Sequence, residues 1–268
     1  MIVTESAGRY RFVTQPDHGA LSGRLARHWG NDTFARPARR HSVLVAAEAH
    51  DQGWVDYDLR PRFEDGGPVD FTQVPDEDWH DFYADGVETV ADLDAYAGLL
   101  TSMHAAGLRC SGYGARPAIP DRLDEPRCAG FVARQEAHQK KLADDLDLDD
   151  GDRAVLADLH ERKETDETSP LWRNYLRLQA FDALSLYACT ASTFGGDEIG
   201  PVPVDDDRTE TLSLDPIGPA AVRVDPWPFD SDVVALPVRR RVVPSDADDP
   251  VEAYYAADVE TVTYTLHA

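Results

Sequence analysis

Apolar positions along the chain change period twice. Residues 2–14 (IVTESAGRYRFVT) alternate apolar and polar side chains around Gly8, which predicts a β-hairpin. At Pro16 the spacing becomes helical and runs to about Trp29, with Gly30-Asn31 closing the element; proline suits a first helical turn, where its missing N–H has no partner to lose. Helical patterns recur over roughly 39–49, 76–90, 92–108, 123–147, 151–164 and 170–190, separated by a loop at 60–75 and a Gly/Pro-rich break at 110–122. Beyond Gly195-Gly196 the period returns to two. TETLSL, AAVRV, VVALPVRRRVV and VETVTYTLHA, within 209–267, read as antiparallel strands that pair with the N-terminal hairpin. The expectation is a mainly α protein in a single domain: a hairpin (1–14), a helical body (15–190) and a β-rich annex (191–268), the strands forming a small antiparallel element.

Composition narrows the function more than the fold. Over 268 residues, 26 Lys+Arg against 50 Asp+Glu give a net charge of −24. Of the acids 36 are Asp, and of the bases only Lys140, Lys141 and Lys163 are lysine. Such a surface repels phosphate backbones, which excludes nucleic-acid binding through a basic patch. Asp excess with Lys depletion suits a high-salt cytoplasm, where a Debye length of about 3 Å screens the repulsion. No apolar run approaches the roughly 18 residues of a membrane helix, and no signal pattern opens the chain. Cys110, Cys128 and Cys189 form no C-x-x-C pair, so no disulfide framework or Cys-based zinc site is indicated, and a reducing cytoplasm is the expected compartment.

Against this acidic coat a few residues stand out. His50-Asp51 ends the apolar helix VLVAAEAHD, while His18, His80 and His104 each fall on a different predicted helix, the arrangement by which bundles converge ligands on an interior point. Asp182 interrupts the apolar helix YLRLQAFDALSLYAC, sharing a face with Tyr175, Leu178, Ser185 and Cys189. A carboxylate buried there must be protonated, paired with an arginine such as Arg134 or Arg173, or bound to a metal. Four imidazoles with two carboxylates suit one or two Fe, Mn or Zn ions and not the all-oxygen shells of Ca or Mg. Gln15, Glu48, Arg134, Glu136 and Lys141 are candidate helpers in catalysis or substrate binding.

The stretches TQPDHGALSGRLARHWG, VLVAAEAHDQGWVDYD and YAGLLTSMHAAGL resemble the family catalogued as domain of unknown function 3891, over roughly residues 1–190. More distantly, the order His18, His50-Asp51, His80, His104, Asp182 resembles the HD-domain superfamily of helical metal-dependent phosphohydrolases. That resemblance implies an HD-like helical bundle in which His18, His50, Asp51 and Asp182 hold one metal. His80 and His104 would complete a dinuclear site bridged by Asp51, with a metal-activated water attacking a phosphate ester or nucleotide as small-molecule substrate. One position departs: where many HD-domain proteins carry Lys two residues after the Gln52 position, HDQGW places Trp54, a candidate aromatic wall for a less charged substrate. The resemblance leaves two alternatives, a di-iron oxygenase of HD-fold type and a non-catalytic, metal-stabilised binding module.

Overall fold

A computed structural model describes residues 1–64, 66–114, 120–165, 168–191 and 194–268. Residues 115–119 of the Gly/Pro-rich break lie outside this range. The chain begins with strands β1 (Ile2–Ser6) and β2 (Arg9–Val13), turned by Ala7-Gly8 with positive φ at both residues (53° and 69°), the left-handed pair that a tight hairpin of right-handed twist demands. Helices α1 (Gln15–His28), α2 (Arg40–Ala49) and the short α3 (Val55–Asp58) follow, then a two-residue ribbon of β3 (Phe63–Glu64) and β4 (Gly67–Pro68). Helices α4 (Asp76–Leu93), α5 (Ala95–Gly107), α6 (Pro126–Asp145), α7 (Asp150–His160) and α8 (Pro170–Thr190) complete the helical part. Strands β5 (Asp197–Pro203), β6 (Thr209–Gly218), β7 (Ala221–Asp225) and β8 (Val233–Pro244), helix α9 (Pro250–Ala256) and strand β9 (Glu260–His267) close the chain.

Helix starts carry the caps their sequences supply. The Thr14 hydroxyl accepts from the Asp17 N–H (3.2 Å) ahead of α1, and the Asp94 carboxylate accepts from the Ala97 N–H (2.9 Å) ahead of α5. Helix α5 is buried on every side, as its near-continuous apolar run YAGLLTSMHAAG requires.

The mainly α expectation is overturned by the strands. Seven of them form one curled sheet in the order β1-β2-β8-β9-β7-β6-β5, antiparallel except for the parallel pair β7–β9, which makes the molecule α/β. The N-terminal hairpin joins through β2, whose Arg9 to Phe12 register with Pro244 to Arg241 of β8. Period-two runs show that strands exist, but which strands pair is a long-range choice that alternation does not encode. Two short helices, α3 and α9, were also illegible, each being too brief to show a period.

The sheet packs on the helices that carry the site. Trp29, just past α1, is fully buried with its ring 5.2 Å from Phe181 of α8 and 5.7 Å from Phe229 beside the sheet. The Gly30 N–H donates to the Pro228 carbonyl (2.9 Å) and the Asp230 N–H to the His28 carbonyl (2.8 Å), tying the end of α1 to the β7–β8 connection. Residues of α1, α5, α8 and the sheet thus share one hydrophobic cluster.

Candidate metal centre

Two close backbone approaches bring the site together. On α1, a Cβ at Gly19 would lie 2.6 Å from the Glu48 carbonyl oxygen, so only glycine lets α1 and α2 approach closely enough to face His18 toward His50. Past α2, a Cβ at Gly53 would lie 1.7 Å from the Phe82 carbonyl oxygen, and one at Gly86 would lie 2.7 Å from the Gly53 nitrogen. That contact seats the HDQGW turn on α4 and sets Asp51 against Tyr83, whose hydroxyl donates to Asp51 Oδ1 at 2.7 Å.

Five of the six candidate ligands converge. His18 Nε2 lies 2.9 Å from Asp182 Oδ1 and 3.8 Å from Asp51 Oδ2. His50 Nε2 lies 3.3 Å from Asp182 Oδ1 and 3.5 Å from Asp51 Oδ2, and His104 Nε2 lies 3.9 Å from Asp182 Oδ2. Donors about 2.1 Å from one ion stand about 3.0–3.4 Å apart at tetrahedral or octahedral angles, so these separations are near those of a coordination shell. His18, Asp51, His104 and Asp182 line the floor of a cavity of about 550 Å³.

Each imidazole is turned by a partner on its other nitrogen. His50 Nδ1 faces the Ala47 carbonyl (3.0 Å), an acceptor only, so Nδ1 carries a proton and Nε2 is turned to two carboxylates, where a second proton or a metal ion sits. That Nε2 is buried without a hydrogen-bond partner among the described residues. His18 Nδ1 meets the Ser185 hydroxyl (2.9 Å), which itself donates to the Asp182 carbonyl (2.9 Å). The Gln179 amide nitrogen lies 3.1 Å from His104 Nδ1 and donates to it, which fixes the plane of that ring. Outward Nδ1 contacts with Nε2 turned inward are the orientation of metal-ligating histidines, whose inward nitrogens give up any proton when an ion binds.

The electrostatics agree. Burial disfavours a charge on Asp182, but His18 and His50, with His104, outweigh it and hold the carboxyl well below the usual carboxylate range. Burial likewise opposes an imidazolium at His50, yet Asp51, Asp182 and the Ala47 carbonyl push it up to about 9. Burial keeps His104 below the ordinary histidine value and Tyr83 well above the ordinary tyrosine value, so Tyr83 stays a donor to Asp51. The cluster attracts a cation, a proton at His50 or a metal ion. In metal-free protein His50 titrates near 6.5 unfolded and about 9 folded. Its stabilisation is therefore full below 6.5 and is expected to disappear as pH rises through 9. Metal binding at about pH 7.5 must expel that proton, and roughly one proton per ion is expected in calorimetric titrations compared between two buffers of different ionisation enthalpy. Binding with no proton release would remove His50 from the ligand set.

The other candidates lie elsewhere. His80 stacks on Phe131 (4.6 Å between ring centroids) and is grouped with Asp76 and Cys128. Burial, then Arg109, with Arg134 and Arg122, lowers it to about 4, against the pull of Asp76. That second group does not fit a cation, because the Arg122 guanidinium grips Asp76 at 2.9 and 2.5 Å. Glu48 is exposed and paired with Arg27, since it occupies the outer face of α2, about 200° round the helix from His50. Trp54 is buried among Tyr57, Phe82 and Tyr83 and does not line the cavity. Arg134 and Lys141 are exposed on α6, and Glu136 of the same helix pairs with Arg162 (2.5 Å). Gln15 does line the cavity, with its Oε1 buried and unpartnered. Tyr83, Ser185 and Gln179 were missed as supports. Ser185 shares the helical face of Asp182, a signal available in the sequence, whereas Tyr83 becomes relevant only through the Gly53–Gly86 contact.

No helix among the described residues is long and apolar enough to cross a membrane. No curated protein and no solved structure matches the chain. The family model described as Protein of unknown function (DUF3891) matches residues 1–245, and the chain belongs to that family.

Proposed function

We propose that this protein is a metal-dependent hydrolase of phosphate esters or nucleotides, with a single Fe, Mn or Zn ion held by His18, His50, Asp51, His104 and Asp182. The observation that carries the reading is His50 Nε2, buried without a hydrogen-bond partner among the described residues and 3.5 and 3.3 Å from Asp51 and Asp182, two carboxylates that line the cavity. When bound, such an ion supplies Lewis acidity and lowers the pKa of water toward neutrality. The chain's own groups do the rest. Tyr83 holds Asp51 by its hydroxyl proton, and Ser185, Ala47 and Gln179 hold the imidazole planes. Gln15 Oε1 offers an acceptor that orients a water or substrate hydroxyl at the cavity wall. The order of these ligands along the chain supports a chemistry akin to that of HD-domain phosphohydrolases. A single ion is favoured by the position of His80, whose grouping with Asp76 and Cys128 takes away the sixth donor that a di-iron oxygenase site needs.

Elemental analysis of purified protein tests this first, and about one transition-metal ion per chain is expected. Turnover of a panel of aryl phosphates, phosphodiesters and nucleotides at molar salt, supported by Mn or Zn and lost on chelation, is the expected second result. Protein free of metal that takes none up would overturn the reading, and bound metal with no turnover would leave a binding module.

A further inference from the structure

Above the ligand cluster the cavity changes character. Phe71, Val74, Trp79, Leu108 and Leu186 make its wall apolar, and Arg109 and Arg122 also line it. A chain of contacts leads from the metal site to these cations. Tyr83, bonded to Asp51, packs against Trp79 at 4.1 Å between centroids with the rings tilted by 37°, and the Arg109 guanidinium carbon lies 3.4 Å from the Trp79 ring centroid.

The two arginines are not equally satisfied. Arg122 spends its fork on Asp76, at 2.9 and 2.5 Å, and on Glu125, at 2.7 Å from both Nε and Nη2. Both neighbouring carboxylates are thereby committed to Arg122. Among the described residues Arg109 keeps only its neighbour's carbonyl, Leu108 (3.0 Å), and a long 3.4 Å approach to Asp76, while its Nε is buried with no partner. Its side chain is only 13% exposed, so water compensates the charge poorly. A planar guanidinium fixed over an indole, desolvated and short of acceptors, is a receptor for an oxyanion. In a chain of net charge −24 it is also an exception to the surrounding field.

We propose that the cavity takes an organic anion lying along it, its hydrolysable group at the His–Asp cluster, its apolar or aromatic body against Phe71, Val74, Leu108 and Leu186, and a second oxyanion group, carboxylate or phosphate, at Arg109. This substrate class rests on reading the cluster as the hydrolytic centre. Arg109 is then the specificity residue, Trp79 holds its plane, and Asp76 with Arg122 holds its position.

Non-hydrolysable probes test the anion site apart from turnover. Binding of phenylphosphonate is compared by calorimetry, on metal-loaded protein, with that of 4-carboxyphenylphosphonate, 4′-carboxybiphenyl-4-phosphonate and benzene-1,4-diphosphonate. At least one doubly anionic probe is expected to bind at least about tenfold more tightly than phenylphosphonate, the effect of one charge-assisted contact. Whether a carboxylate or a phosphonate gives the larger gain tells which oxyanion the site prefers. Arg109→Gln is expected to abolish the gain, and Arg109→Lys to restore it in part. Equal affinity of all probes for the wild type overturns the proposal whether or not the variants fold, as does a gain that survives Arg109→Gln. Preferential binding without turnover of any ester sinks the hydrolase reading and leaves the anion site standing. Turnover with no preference for a second anion does the reverse.

Discussion

Asp182→Asn is expected to reduce metal content from about one ion per chain to almost none. Asp182 is the carboxylate that all three imidazoles approach, at 2.9, 3.3 and 3.9 Å. The amide keeps the shape but gives up the charge, so the ion loses its central anionic ligand and Asp51 alone must balance it. Removing one partner from a buried, mutually paired charge set costs about 3–5 kcal/mol, which corresponds to a loss of affinity of about 10³-fold. The same substitution should remove metal-linked stability. With free metal about 1,000-fold above its dissociation constant, the wild type gains about 4 kcal/mol, a rise in melting temperature of roughly 8–16 °C over chelated protein. Asp182→Asn is expected to melt at one temperature with or without metal. A variant that purifies with a full complement of metal would exclude Asp182 from the ligand set.

Trp29→Ala is the second large effect, and it tests whether the sheet is part of the body or an appendage. The indole is fully buried between Phe34, Phe181 and Phe229, where α1, α8 and the β7–β8 connection meet. Truncating a fully buried tryptophan costs about 3–5 kcal/mol, partly as lost transfer energy and partly as the cavity left behind. Because α1 carries His18 and α8 carries Asp182, loosening this junction should also weaken metal binding although Trp29 touches no ligand. Denaturant unfolding followed by helical and tryptophan signals measures both. Leu93→Ala, at a position 70% exposed, serves as a control and should change stability by no more than about 0.5 kcal/mol. If Trp29→Ala cost as little as Leu93→Ala, the sheet would be an independent cap.

Isolated carboxylates in apolar surroundings were the most informative feature of the sequence, and the structure shows how far that signal reaches. Asp51 and Asp182 do face the histidines. Yet Asp58 and Asp152 are buried as well, and neither takes part in the site. Asp58 accepts from the Gln15 N–H and from the Met1 ammonium, both at 2.6 Å. Asp152 accepts from the Ser169 hydroxyl (2.6 Å) and the Leu171 N–H (2.8 Å) ahead of α8. Burial therefore does not distinguish a structural carboxylate from a ligand; the partner does, and the partner is set by tertiary contact. His80 makes the same point in reverse. Its place on a helix beside Trp79 and Tyr83 looked like that of the other histidines, but it stacks on Phe131 with three arginines acting on it.

What the sequence determined by itself was local. Periodicity, caps and punctuating Gly and Pro marked the hairpin, the seven long helices and the strand-rich tail, because those signals act over a few residues. The residue types at 18, 50, 51, 104 and 182 were legible for the same reason: a polar group in an apolar helix is anomalous wherever that helix docks. Only the tertiary structure decided that the strands close into one seven-stranded sheet on α1 and α8, and that five candidate ligands meet while His80 does not. It also placed the cavity's cations at Arg109 and Arg122 and not at Arg134 or Lys141. Strand partners, close glycine contacts and the neighbours of a charge join residues far apart in the chain, and no local pattern carries that information.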